Sequence, residues 1–170
     1  MTDAARQDFE PQITAFFCIY CGYMAADTAG ALRLQYPANV KFVRLPCTGK
    51  TDVRYVLDAF ERGADGVYVV GCPLGNCHHV RGNERGLARI NRAKKLLDEI
   101  GLGAERLEMF FMSGSQAQAF AQAARDMTER IRGLGPNPLR LDSTNGHEQP
   151  PSGDQDNDGS AQGWRGRRSE

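Results

Sequence analysis

Several features that mark common classes of protein are missing from this chain of 170 residues. It carries no excess charge, because Lys plus Arg and Asp plus Glu both number 21. Net charge therefore gives no reason to expect nucleic acid or an anionic membrane as a partner. No apolar run approaches the roughly 20 residues of a membrane span, and the polar N-terminus lacks a basic segment followed by an apolar one. We expect a soluble, cytoplasmic protein.

The motifs of nucleotide binding and of hydrolytic catalysis are also missing. No G-x-G-x-x-G follows the first predicted strand and no P-loop lysine pattern occurs, so the usual phosphate cradle is absent. The residue spacing offers no Ser/His/Asp set and no carboxylate pair. We predict no catalytic residues, and hence a chain that does not process a substrate by itself.

Cysteine is present, but not as a disulfide framework. The count is five, and an odd number in a reducing compartment favours metal binding or thiol chemistry. Every group of cysteines follows an apolar run: Cys18 and Cys21 follow 13–17, Cys47 follows 40–46, and Cys72 and Cys77 follow 66–70.

Apolar runs alternate with stretches of helical periodicity along the chain. The pattern predicts strands over 13–17, 40–45, 66–70 and 107–112, and helices over 22–34, 51–62, 83–100 and 116–132. This βαβαβαβα order predicts an α/β fold, with a mostly parallel sheet of about four strands and flanking helices. We predict an N-terminal lead-in over 1–11, one α/β domain over 12–139, and a disordered tail over 140–170, where too few apolar residues remain to offset ordering entropy.

The spacing of the cysteines predicts that they meet. Cys18 and Cys47 are 29 positions apart, and Cys47 and Cys72 are 25 apart. A strand with its crossover helix takes about 30 residues, so each step returns to the same edge of the sheet. Parallel strands lie about 4.8 Å apart, which would bring five thiols into one small volume.

Several thiolates in one place repel one another and need a positive centre. The pairs Cys18-x2-Cys21 and Cys72-x4-Cys77 suit chelating turns, and Gly71 and Gly75 permit the backbone to curl around a cofactor. All-thiolate iron–sulfur binding is favoured. Two alternatives stay open: a structural zinc site, and a thiol–disulfide couple at the CIYC turn.

Two further features have both a functional and a plain interpretation. His78 and His79 lack the spacing of a Rieske pair, so we expect hydrogen bonding near the cofactor or simple loop polarity. The third predicted helix has a basic side, which is either solvated surface or a docking face for an acidic partner. Its residues are Arg85, Arg89, Arg92, Lys94 and Lys95.

Four segments carry a specific resemblance: CIYCGYMAADTAG, QYPANVKFVRLPCTGK, AFERGADGVYVVGCPLGNCHHVRGNERGLARI and GLGPNPL. From about Thr14 to Leu139 the chain resembles the delta subunit of methyl-viologen-reducing (F420-non-reducing) hydrogenase. The resemblance implies an electron-transfer protein with a [2Fe–2S] cluster inside an oxidoreductase complex.

The resemblance also implies two kinds of partner. One is a hydrogenase, formate dehydrogenase or other dehydrogenase. The other is the flavin-carrying A-type subunit of heterodisulfide reductase, or a protein like it, which we call the A-type flavoprotein.

The resemblance carries over to individual residues as well. All five cysteines match cysteine positions of the family, and a binuclear cluster takes four ligands, so one is surplus. The chain departs from the family at Pro73, where His is frequent, and at Asn76, where Asp is frequent. These changes spare the ligands but alter the groups around them.

Overall fold

The computed structural model describes residues 9–143, in which four parallel strands form one sheet. The strands are β1 (Ile13–Cys18), β2 (Val40–Leu45), β3 (Gly66–Gly71) and β4 (Leu107–Phe111). The helices are α1 (Gly22–Ala31), α2 (Val53–Glu61), α3 (Gly82–Glu99), α4 (Ala117–Leu134) and α5 (Pro138–Ser143), with short 3-10 helices at Thr48–Lys50 and Ala104–Arg106. The predicted α/β fold with a parallel sheet is confirmed.

The strand order β2-β1-β3-β4 places β1 at the centre of a reversal. From β1 the chain moves outward to β2, and then crosses back to β3 on the other side of β1. Phe17 pairs with Val70 of β3, and Cys18 pairs with Leu45 of β2. Loops diverge from the carboxyl ends of strands at such a switch point, and open α/β sheets bind their ligands there.

Hydrophobic clusters cover both faces of the sheet. On one face Phe17 and Tyr68 pack beneath α1 and α4, together with Phe120 of α4. On the other face Phe16 and Val69 pack beneath α2 and α3. Every residue of β3 is buried, as its unbroken apolar sequence predicts for a strand covered on both sides.

Helix ends differ from the predictions by a few residues. Helix α1 ends at Ala31 rather than at 34, because Arg33 takes a left-handed conformation with φ of 53°. The Leu34 N–H then donates to the Ala29 carbonyl and closes the last turn. Helix α5 continues the ordered chain to Ser143, four residues past the predicted domain end at 139. Of the predicted lead-in and tail, 1–8 and 144–170 lie outside the described residues.

A buried polar cluster fastens α5 to the amino ends of the strands, opposite the cysteines. The Asp65 carboxylate is fully buried, and it accepts hydrogen bonds from the backbone N–H groups of Gln12 and Asn137 at 2.7 and 2.8 Å. The Asn137 amide donates to the carbonyls of Phe60 and Ala64. These bonds explain why the closing GLGPNPL segment belongs to the fold.

None of the helices among residues 9–143 is long and apolar enough to cross a membrane.

Candidate metal centre

The cysteines lie together at the carboxyl edge of the sheet. Cys18 is the last residue of β1 and Cys72 directly follows β3, and both are 1% exposed. Their Sγ atoms are 3.9 Å apart. The Cys21 thiol, which follows the turn after β1, donates to Cys72 Sγ at 2.8 Å. Three thiols from the two central strands therefore meet at the switch point.

The remaining two thiols meet beside the first residue of α3. A Cβ atom built on Gly82 would collide with Cys47 Sγ and would lie 3.2 Å from Cys77 Sγ. Cys47 also interacts electrostatically with both Cys77 and Cys18, and Cys21 with Cys77. Loops from three different strands thus bring all five sulfur atoms into one neighbourhood.

Backbone N–H groups point at these sulfur atoms from the start of each following segment. Cys47 caps the 3-10 helix at Thr48–Lys50, where its Sγ accepts from the Gly49 N–H at 3.3 Å. The N–H groups of Gly82 and Asn83 approach Cys77, so the thiol takes the position of an N-terminal cap on α3. Such donors stabilise negative sulfur, as helix N-termini do in general.

Burial and backbone contacts give the thiols different acidities. Burial raises the pKa of Cys18, Cys21 and Cys47 above the ordinary thiol value. Burial and the hydrogen bond from Cys21 raise the pKa of Cys72 to about 11. At Cys77 burial also acts upward, but the N–H groups of Asn83, His79 and Gly82 outweigh it and lower the pKa. The deeper thiols therefore ionise readily only beside a positive centre.

The donor set fits an all-sulfur metal cluster. The loops over 18–21 and 71–80 contain no Asp, Glu, Lys or Arg, so thiols are the ionisable donors that they bring to the site. Gly82 leaves room next to two of the thiols that any side chain would fill. Within residues 9–143, no group of three or more Cys, His, Asp or Glu side chains already stands in the geometry that holds a metal ion.

The predicted cofactor-binding residues Gly71, Gly75 and His78 occupy three different environments. A Cβ atom on Gly71 would lie 3.2 Å from Thr48 Oγ1, so the end of β3 is closely packed. Gly75 has a φ of 78° and open space around it, which identifies it as the turn residue of the loop. His78 directs its backbone N–H toward Cys72, while its side chain is exposed.

The His78 ring stacks on Tyr20 of the CIYC turn. The ring centroids are 3.7 Å apart with an interplanar angle of 18°, and His79 approaches Tyr20 edge-on at 5.5 Å. The stack links the loop after β1 to the loop after β3. The histidine side chains thus contact an aromatic ring, whereas the His78 backbone contacts the thiol.

Residues that the sequence analysis did not assign to the site also support it. Asn83 is fully buried, and its amide donates to the carbonyls of Cys72 and Pro73 at 3.0 and 2.7 Å. Arg89, which we expected on an external basic face, donates to the carbonyls of Gly49 and Thr51 and so holds the Cys47 loop. The segment Gly82-Asn83 after the histidines was the available signal, since it begins a helix without a Ser, Thr or Asp cap.

The fold and the site define a class: small α/β domains that gather cysteine thiols at the switch point of a parallel sheet. Comparison with known sequences places the chain within this class. It belongs to the family described as methyl-viologen-reducing hydrogenase, delta subunit, which matches residues 13–135.

Individual relatives agree with this family. The chain is 53% identical over 131 residues to the iron-sulfur subunit of the F420-non-reducing hydrogenase vhu from Methanocaldococcus jannaschii, covering 77% of this chain and 98% of the relative. It is 43% identical over 130 residues to the iron-sulfur subunit of the F420-non-reducing hydrogenase from Archaeoglobus profundus, covering 76% and 95%.

A longer relative contains the domain as one segment. This relative is the A-type subunit of the ferredoxin/F(420)H(2)-dependent CoB-CoM heterodisulfide reductase from Methanosarcina acetivorans. It is 34% identical over 126 residues, which are 74% of this chain and 16% of that protein. The same kind of domain therefore occurs both as a separate protein and within a heterodisulfide reductase chain.

Proposed function

We propose that this chain is a cytoplasmic iron–sulfur electron-transfer subunit. The observation that carries the proposal is the convergence of five thiols from three loops, with Sγ distances of 2.8 Å between Cys21 and Cys72 and 3.9 Å between Cys18 and Cys72. Names of relatives that include the words "iron-sulfur subunit" support it.

Four of the five thiols would hold a [2Fe–2S] cluster, which when bound supplies one-electron transfer. Cys18 and Cys72 offer donors on the floor of the site, while Cys21 and Cys77 are only partly buried. The site thus has a buried side toward the sheet and an open side toward a neighbouring protein. Electron transfer needs this short distance to the surface.

The backbone tunes the charge of the site. N–H groups from Tyr20 and Cys21 approach Cys18, and the Gly49 N–H approaches Cys47. Hydrogen bonds to ligating sulfur raise a reduction potential because they stabilise the more negative, reduced state. The chain itself therefore holds the ligands, excludes water from part of the site and sets the potential.

We propose two kinds of partner. The relatives are named as hydrogenase subunits, which supports a hydrogenase, formate dehydrogenase or other dehydrogenase as electron donor. The matching segment within a heterodisulfide reductase chain supports an A-type flavoprotein as acceptor. A domain that is fused to a protein in one organism is a reasonable partner of it in another.

The experiment is electron delivery between these partners. We expect a donor dehydrogenase to reduce the flavin of the A-type flavoprotein only when this chain is present. Cys72→Ser and Cys77→Ser should slow that reduction and perturb the visible spectrum of the chain. Wild-type spectra and rates in both variants would contradict the role of the loop over 71–80.

A second function has one observation in its favour. Cys21 and Cys72 are near enough for a thiol–disulfide couple, and this pair replaces the Cys18 and Cys21 pair that the CIYC turn suggested. That function predicts a colourless protein that forms a reversible Cys21–Cys72 disulfide with a mild oxidant such as diamide. Peptide mapping after oxidation, with metal analysis beside it, separates the two functions and also detects zinc.

A further inference from the structure

The loops that surround the thiols carry no formal charge. Three segments at this edge, 18–26, 71–80 and 112–116, contain no Asp, Glu, Lys or Arg, although 25% of the chain is charged. Surface loops of this total length would ordinarily include several charges. The face around the thiols is therefore unlike the rest of the surface.

Large apolar side chains project from the same loops. We call the group the apolar rim: Ile19, Tyr20, Met24, Leu74 and Val80, with exposures of 38, 37, 53, 56 and 79%. Single exposed apolar residues are normal on protein surfaces, but several at one edge mark an interaction site. The loops also touch, because Tyr20 stacks on His78 and a Cβ atom on Gly114 would lie 2.9 Å from Met24 Cβ.

Val80 shows that the isolated chain gains nothing from part of this rim. Its φ is 64°, a left-handed conformation that is strongly unfavourable for a β-branched residue. Glycine or asparagine would adopt the same backbone at lower cost. The Val80 side chain is 79% exposed, so burial within this chain does not offset the strain. A compensating contact has to come from another protein.

We propose that the apolar rim docks onto an uncharged apolar surface of the A-type flavoprotein, and that Val80 is an anchor of that contact. The inference rests on the proposed function, of which it names the contact surface. The A-type flavoprotein is the occupant because the related domain lies within a heterodisulfide reductase chain, where contact with the rest of that chain is built in. The predicted basic docking face is less suitable, since Arg89 holds the Cys47 loop and Lys94 pairs with Glu108 at 2.9 Å.

The test uses Val80→Asn and Leu74→Ser in the full chain. Val80→Asn should raise the melting temperature of the chain alone by about 2–5 °C, because asparagine tolerates the left-handed backbone. The same variant should weaken binding to the A-type flavoprotein about tenfold, as expected for a buried anchor. Leu74→Ser should also weaken binding. Ile100→Ser is the matched control, because Ile100 is 61% exposed but lies beyond the opposite end of α3.

Affinity measured at low and high salt checks the chemistry of the contact. An uncharged apolar contact should change little with salt, whereas docking through Arg85, Arg92 and Lys95 should weaken steeply. The inference is overturned by unchanged binding of both rim variants, by a lower melting temperature of Val80→Asn, by equal weakening in Ile100→Ser, or by a steep salt dependence. It is also overturned if the rim variants lose the dehydrogenase partner instead of the A-type flavoprotein.

Iron content keeps this outcome separate from that of the proposed function. Binding is measured on chains with and without iron, because the rim side chains belong to the polypeptide. If the chain binds no iron and the rim variants still weaken binding, the electron-transfer role fails and the docking surface stands. If iron is bound normally and the rim variants bind like the wild type, the docking surface fails alone.

Discussion

Gly82 is the single residue that determines how closely α3 approaches the thiols. It lies next to Cys47 and Cys77, and its Cα would be 2.9 Å from a Cβ atom on Gly49. Two backbone segments therefore pass each other with no space for a side chain. Glycine is the residue that permits such an approach.

We expect Gly82→Ala to reduce iron binding sharply and to destabilise the protein by about 1–3 kcal/mol, the usual cost of overpacking. The added methyl group would push α3 away from the Cys47 loop. Iron per chain and the denaturant midpoint are the measurements.

Gly30→Ala is the matched control, since Gly30 is also in a helix but has no atom within 4 Å of its built Cβ. Alanine there should stabilise α1 by about 0.5–1 kcal/mol and leave iron binding unchanged. Equal iron binding by Gly82→Ala and the wild type would show that the room beside Cys47 and Cys77 is not used.

Individual residues show where sequence reasoning stops. The cysteines and Gly75 follow from spacing and turn chemistry, because those signals are local. The Tyr20 and His78 stack joins loops on two separate strands, and no periodicity reports which exposed rings meet. Arg89 has the same lesson, since a helix surface pattern cannot distinguish a solvated arginine from one that reaches a neighbouring loop.

At the scale of elements, strands were easier to predict than helix ends. β3 is an unbroken apolar run between Ala64-Asp65 and the cysteine loop, and its predicted span of 66–70 differs from the observed one by a single residue. Helix α5 is too short to show a period of its own. Its place depends on contacts of Asn137 and Asp65 with distant residues, which the sequence alone does not display.

The Asn137 contacts give a prediction for α5. Asn137→Ala should lower the free energy of unfolding by about 2–3 kcal/mol, because the buried carbonyls of Phe60 and Ala64 lose their donor. Chemical denaturation measures the change. Asn91→Ala, on the exposed side of α3, should have little effect.

The location of Asn137 makes the prediction more specific. It lies at the amino end of the sheet, so Asn137→Ala should keep the iron content of the wild type at temperatures where the chain is folded. A stability equal to that of Asn91→Ala would mean that the cluster around Asp65 does not hold α5.

At the scale of the whole molecule, topology accounts for the meeting of the thiols. Right-handed crossovers return the chain to one edge of the sheet after every helix, so cysteines that follow strands must collect there. The cysteine spacing predicted this edge without the strand order. It could not predict that β1 and β3 are neighbours, and that order is what places Cys18 next to Cys72.

The most direct test of the account is the iron and acid-labile sulfide content of the anaerobically purified chain, with its electron paramagnetic resonance spectrum after reduction. We expect a brown protein with about two irons and two sulfides per chain and a paramagnetic reduced state, as a [2Fe–2S] cluster requires. Cys72→Ser should lose or alter that signal. Stoichiometric zinc, or a colourless iron-free protein with a Cys21–Cys72 disulfide after iron-replete expression, would contradict the account.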